Sequence, residues 1–140
     1  MRRFQTNLPE QDGRGAAVAI GNFDGVHLGH QAVIDVARGA AGASGAPLGV
    51  LTFEPHPRSF FAKRNGTDLP PFRLMNAEAR AHRLEKLGVE TLLELPFDQA
   101  LCDLSAWDFC KEVLSEGCGL THVVVGADFC FGKGRSGTAQ

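Results

Sequence analysis

Apolar residues along this chain fall into short unbroken runs, separated by stretches with a helical period. The first run, Ala16-Ala17-Val18-Ala19-Ile20, predicts a strand from Ala16 to Ile20 that is buried on both faces. His30, Val33, Ile34 and Ala37 then recur at helical spacing. They predict a helix over about Gly29 to Ala37 that stops near Gly39 and Gly42. After a loop of small residues, Gly39 to Pro47, the run "LGVLTF" predicts a second strand, Leu48 to Phe53, ending against Glu54-Pro55. Arg64 to Pro71, rich in Asn, Gly, Asp and Pro, reads as a loop.

A second helix begins after Asn76, a good N-cap, with Glu78 in its first turn and Ala77, Ala81, Leu84 and Leu87 as its apolar stripe. Arg83 and Lys86 suit its C-terminal end, and Gly88 closes it. "VETLLEL", Val89 to Leu95, predicts a third strand, cut by Pro96. Ser105 caps a third helix, whose apolar face is Ala106, Phe109, Cys110, Val113 and Leu114. Leu104 and Phe109 are placed to staple across that cap, and Gly117 ends the helix. "HVVVGA", His122 to Ala127, predicts a fourth strand.

Strands that alternate with helices, and that are apolar runs rather than two-residue alternations, predict an α/β fold: a doubly wound parallel sheet covered on both faces. In such sheets ligands bind beyond the carboxyl ends of the strands. Three segments follow strand ends here: Gly21 to His30, Glu54 to Arg58, and Asp128 to Gly137. A fourth parallel strand calls for another crossover helix, and the last residues are instead glycine-rich and polar. The expectation is a domain over residues 14–140 that is truncated at its C-terminal end.

Composition narrows the function without deciding it. A chain of 140 residues makes one domain with a real core, and its 44% apolar and 21% charged content is ordinary for a soluble globular protein. A net charge of -2 gives no argument for a nucleic-acid or membrane partner. No apolar run reaches membrane-spanning length, and the N-terminal "MRRFQTNLPE" lacks the apolar core of a signal peptide. Cys102, Cys110, Cys118 and Cys130 have neither disulfide-framework nor zinc-site spacing, so they read as buried thiols in a reducing cytoplasm.

The chemistry concentrates in "GNFDGVHLGH", Gly21 to His30, where a strand hands over to a helix. A helix N-terminus carries unpaired N–H groups and a positive partial charge, so it attracts anions. Gly29 there leaves the backbone open to a phosphate, and Gly21 and Gly25 let the loop turn sharply. His27 and His30, three apart, share a face if the first helical turn reaches back to His27. Both rings are then placed to donate to phosphate oxygens, whose charge grows as pyrophosphate leaves. Asp24 stays open between a ligand contact and an Asx-turn. The segment is neither a P-loop, lacking GKS or GKT, nor a GxGxxG dinucleotide fingerprint.

"GNFDGVHLGH" resembles the signature of the HxGH nucleotidyltransferases, and its GxFDGxHxGH form resembles the FMN adenylyltransferase module of bacterial bifunctional riboflavin kinase/FAD synthetases. "TFEPHP" (Thr52 to Pro57), "FRL" (Phe72 to Leu74) and "VVVGADFCFGKGRSG" (Val123 to Gly137) are similar to later motifs of that family, in its order. The resemblance implies the reaction of ATP with FMN to give FAD and pyrophosphate, with magnesium. It implies His27 and His30 on the ATP phosphates, and Gly21, Asn22, Phe23, Asp24, Gly25 and Gly29 around the nucleotide. Arg73, by its family position, and His56, Asp128, Phe129, Lys133 and Arg135, by their chemistry on the segments after strand ends, are candidate contacts to flavin or phosphate. For His56 a merely rigid turn stays open, for Phe129 and Phe131 simple packing, and for Lys133 and Arg135 a loop that closes on substrate. Cys130 stands where many relatives carry arginine. A later Ser/Thr-rich motif that helps bind the triphosphate, and a riboflavin kinase domain acting on riboflavin, are expected after residue 140. Two other readings stand beside this one. The first is another HxGH enzyme of the cytidylyltransferase or pantetheine-phosphate adenylyltransferase type. The second is a nucleotide-binding fragment without catalysis.

Overall fold

In the computed structural model, residues 1–5, 15–23, 28–54, 62–63, 65–66, 76–125, 130–131 and 137–138 are described. Strands β1 (Arg2–Phe4), β2 (Ala17–Ile20), β3 (Leu48–Glu54), β4 (Thr91–Pro96) and β5 (His122–Val125) form one sheet in the order β1-β4-β3-β2-β5. Every pairing in it is parallel, with Ala17 opposite both Leu48 and His122, and Thr52 opposite Glu94. The predicted parallel α/β sheet is therefore present. β3 and β4 are laid to one side of β2, and β5 returns to the other. The strand order thus reverses at β2, and its carboxyl end is the place where such sheets bind ligands.

Side chains alternate across the sheet, so each strand feeds two cores. Ala17, Ala19, Leu48, Val50 and Leu92 face helices α1 (Leu28–Ser44) and α2 (Ala77–Lys86), meeting Ile34, Ala37, Ala41, Ala81 and Leu84. Ala16, Val18, Ile20, Leu51, Phe53, Leu93 and Leu95 point the other way. They meet Leu101 of α3 (Gln99–Cys102) and Phe109, Val113 and Leu114 of the helical stretch that begins as α4 (Ala106–Asp108). Two buried faces explain why the strands read as unbroken apolar runs.

β3 must come close to its neighbours at Gly49. A Cβ there would lie 2.8 Å from Val18 Cγ1 and 3.2 Å from both Ala16 Cβ and the Thr91 carbonyl oxygen. Val18 is fully buried and β-branched, so it has little room to yield. Gly49→Ala is expected to destabilise by about 1–3 kcal/mol, the usual cost of overpacking. A denaturation midpoint equal to or above that of the wild type would show that the strands can part without loss.

Several boundaries differ from the sequence reading. α1 runs through Gly39 and Gly42 to Ser44. A glycine in a helix costs about 1 kcal/mol, but Ala37 and Ala41 seat in the core on either side and carry the helix past both. The stop is Gly45, whose φ of +68° lies in the left-handed region. α2 is capped as read, with Asn76 Oδ1 accepting from the Ala79 N–H at 2.8 Å. Ser105 caps α4 by accepting from the Asp108 N–H at 3.1 Å.

From Phe109 to Gly117 the backbone is a π-helix, shown by the Cys118 N–H donating to the Val113 carbonyl at 2.8 Å. The side-chain pattern cannot separate this from an α-helix, because either buries Phe109, Val113 and Leu114 together. β1 and α3 were missed, being too short to carry a period. β4 begins at Thr91 rather than Val89. β5 is an edge strand with His122 and Val123 exposed, not a buried one, and Ala127 lies outside the described residues. The glycine-rich segment, read as a loop, contains a short antiparallel ladder of β6 (Cys130–Phe131) and β7 (Gly137–Thr138).

Among the described residues no helix is long and apolar enough to cross a membrane. None of Cys102, Cys110 and Cys118 is in a disulfide, and burial raises the Cys110 thiol above its ordinary pKa.

Candidate functional site

β2 ends at Ile20, and the chain then turns through Gly21, Asn22 and Phe23. Phe23 has a φ of +52°, the one non-glycine residue in the left-handed region among those described. That backbone folds its ring back over the strand end, into the core, where it is wholly buried. A Cβ on Gly21 would lie 3.2 Å from the ring, so the missing side chain leaves the space that the phenyl group takes. Phe23 therefore supports the turn from beneath, and its ring is not on the surface.

α1 starts at Leu28, so Gly29 and His30 lie in its first turn. Leu28 and Gly29 are exposed and His30 is half-buried. The His30 ring rests on Phe23, with centroids 5.0 Å apart and planes tilted by 56°. Among the described residues the first turn holds no acidic side chain to neutralise the positive end of the helix. A histidine propped by a core aromatic at a helix N-terminus can present a ring N–H to an anion in a fixed direction.

Beneath the turn lies a charged cluster that pattern reading missed. Arg80, on α2, is 1% exposed. Its Nη1 donates to the Asn22 carbonyl at 3.2 Å. Its Nη2 donates to Glu54 Oε2 at 2.9 Å and to Glu94 Oε2 at 3.4 Å. Thr52 Oγ1 donates to the same Asn22 carbonyl at 3.2 Å. Glu94 is also held by Arg3, which reaches Glu78 at 2.9 Å as well. These carboxylates raise the Arg3 guanidinium above its ordinary pKa, Glu94 before Glu78, and Arg3 lowers that of Glu78. The signal was present in the sequence. Arg80 interrupts the stripe of Ala77, Ala81 and Leu84, and Glu94 interrupts the apolar run of β4.

Asn22 adds a second feature. Its Oδ1 is buried and has no hydrogen-bond partner among the described residues. Buried acceptors are normally satisfied, and this one sits at a strand end where ligands bind.

Of the residues singled out from sequence, the structure brings Gly21, Asn22, Phe23, Gly29 and His30 together at the end of β2. Asp24, Gly25, His27, His56, Arg73, Asp128, Phe129, Lys133 and Arg135 lie outside the described residues.

Residues 9–140 match the family described as FAD synthetase. The chain belongs to the FAD synthetase family. The chain is similar to several curated proteins named bifunctional riboflavin kinase/FMN adenylyltransferase. It is 44% identical to the one from Pseudomonas fluorescens, over 89% of this chain and 38% of that protein. For Escherichia coli (strain K12) the figures are 35%, 94% and 41%, and for Bacillus subtilis (strain 168) 36%, 96% and 41%. The chain thus spans about two fifths of the length of these relatives, 38% to 41%. A solved structure described as a macrolide-efflux protein from Streptococcus pneumoniae also matches, with a TM-score of 0.75 and 27% identity. That match covers 98% of this chain and 44% of that one.

Proposed function

We propose that this chain carries out the adenylylation step of FAD synthesis. A phosphate oxygen of FMN attacks the α-phosphorus of ATP, the bond from that phosphorus to the oxygen bridging to the β-phosphate breaks, and pyrophosphate leaves. The observation that carries this reading is the family match over residues 9–140, set on a turn that places His30 in the first turn of the helix after β2. Displacement of this kind needs no protein nucleophile. The protein positions the two substrates and stabilises charge.

In this reading the positive end of α1 and the His30 ring receive the triphosphate, with His27 as the second imidazole. The buried Asn22 Oδ1 fits a substrate N–H or O–H donor. Gly21, Asp24, Gly25 and Gly29 shape the nucleotide side, and Phe23 supports that turn from beneath. His56, Arg73, Asp128, Phe129, Lys133 and Arg135 are assigned to flavin or phosphate. Magnesium is proposed to arrive on the triphosphate, whose charge it would partly neutralise. The names of the relatives pair this activity with riboflavin kinase, and we extend that pairing to the full-length protein, with riboflavin as the substrate of a kinase domain beyond residue 140. The proposed compartment is the cytoplasm, where ATP and FMN are available.

Full-length protein given ATP, magnesium and FMN is expected to yield FAD and pyrophosphate in equal amounts, read by chromatography of the flavins. Phosphopantetheine with ATP, and glycerol phosphate with CTP, should give no product. Absence of FAD, or turnover of either alternative pair, would overturn the reading.

A further inference from the structure

We propose that Arg80 is a positioning residue: its guanidinium clamps the Asn22 carbonyl and so holds Phe23, and the His30 ring resting on it, in the geometry the phosphate site needs. The proposal rests on the function given above, and it adds a residue that lies in none of the recognised motifs.

The turn after β2 is strained. A phenylalanine in the left-handed region costs on the order of 1–3 kcal/mol, and such conformations persist only where the surroundings over-determine them. Two hydrogen bonds do so here, both on the carbonyl that immediately precedes Phe23: one from Thr52 on β3 and one from Arg80 on α2. The same guanidinium also binds Glu54, the last residue of β3, and Glu94 on β4. A single buried side chain therefore ties together the ends of three adjacent strands. Lysine lacks the planar fork that reaches several acceptors at once, so the position specifically suits arginine. A buried ion pair is weak evidence for stability, because desolvation offsets its attraction. Its position directly beneath a strained turn points to geometry.

The test is a set of full-length variants: Arg80→Lys, His30→Ala, the double variant, and Phe23→Leu. Turnover is measured per folded enzyme, alongside the FMN and ATP KM values and the ring-proton resonances of histidine. Arg80→Lys keeps the charge and loses the fork. It should lower kcat roughly 10- to 100-fold, as small misplacements of catalytic groups do, and leave the KM for FMN close to wild type. In the His30→Ala background the same substitution should lower kcat less than about twofold, because its effect passes through His30. The His30 ring protons, shifted by the Phe23 ring, should move in Arg80→Lys toward their position in Phe23→Leu, while His122 on the edge strand stays put.

A loss of turnover equal with and without His30, or a His30 resonance that Arg80→Lys leaves in place, overturns the proposal and makes Arg80 purely structural. If the wild type forms no FAD, the functional reading fails separately, and the His30 resonance still decides whether Arg80 sets the ring.

Discussion

His30→Ala in the full-length protein should lower turnover on the order of 10²–10³-fold and leave FMN affinity nearly unchanged. On the proposed function the ring would meet phosphate oxygens that gain charge as pyrophosphate departs, so its hydrogen bond would strengthen in the transition state and contribute little to ground-state binding. In that reaction FMN would approach the α-phosphorus from the side opposite the leaving group and so be remote from this contact. The structure adds a complication that the sequence did not reveal. The ring also packs on Phe23, and an aromatic contact of this kind contributes about 0.5–1.5 kcal/mol. Alanine therefore removes packing and hydrogen bonding together. His30→Phe separates them, since it keeps an aromatic ring on Phe23 and offers no N–H. It should melt near the wild type and still lose turnover. Near-normal turnover in His30→Phe would mean that the histidine serves only to fill the space above Phe23.

Much of this arrangement was legible in the chain itself. Apolar runs located four of the five strands of the sheet: β2, β3 and β4 because both of their faces are buried, and the edge strand β5 because its run of valines favours a strand even where it is exposed. Asn76 and Ser105 marked two helix starts by their capping chemistry alone. Three kinds of feature escaped. β1 has three residues, and no period can be read from so few. The helix through Gly39 and Gly42 was cut short because local propensity was weighed without Ala37 and Ala41, whose tertiary contacts decide the matter. The Arg80 cluster escaped because its partners are far apart in the chain. Arg3 and Glu94 are separated by 91 positions, and Asn22 and Arg80 by 58. An arginine on an apolar stripe and a glutamate in an apolar strand each looked like a local flaw. Only the fold shows that the two are partners.

That cluster carries the largest expected effect on stability. Glu94 has a side chain only 1% exposed and serves two guanidinium groups, Arg3 and Arg80. Glu94→Gln keeps the shape and removes the charge. The new amide turns N–H groups toward donors, and Arg80, itself 1% exposed, is left with Glu54, whose side chain is 33% exposed. Leaving a buried charge short of its partner typically costs about 3–5 kcal/mol, against a total stability on the order of 5–15 kcal/mol. The urea midpoint should fall accordingly, with an unchanged slope if both variants unfold in two states. Arg80→Met with Glu94→Leu should then be more stable than Glu94→Gln alone, because no uncompensated charge stays in the core. Arg3 retains Glu78 near the surface. The same double variant should nevertheless turn over slowly, since the Asn22 carbonyl keeps only Thr52. A Glu94→Gln unfolding free energy within about 0.5 kcal/mol of the wild type, the range of an ordinary surface change, would mean that solvent reaches these charges. The cluster would then have no energetic hold on the turn above it.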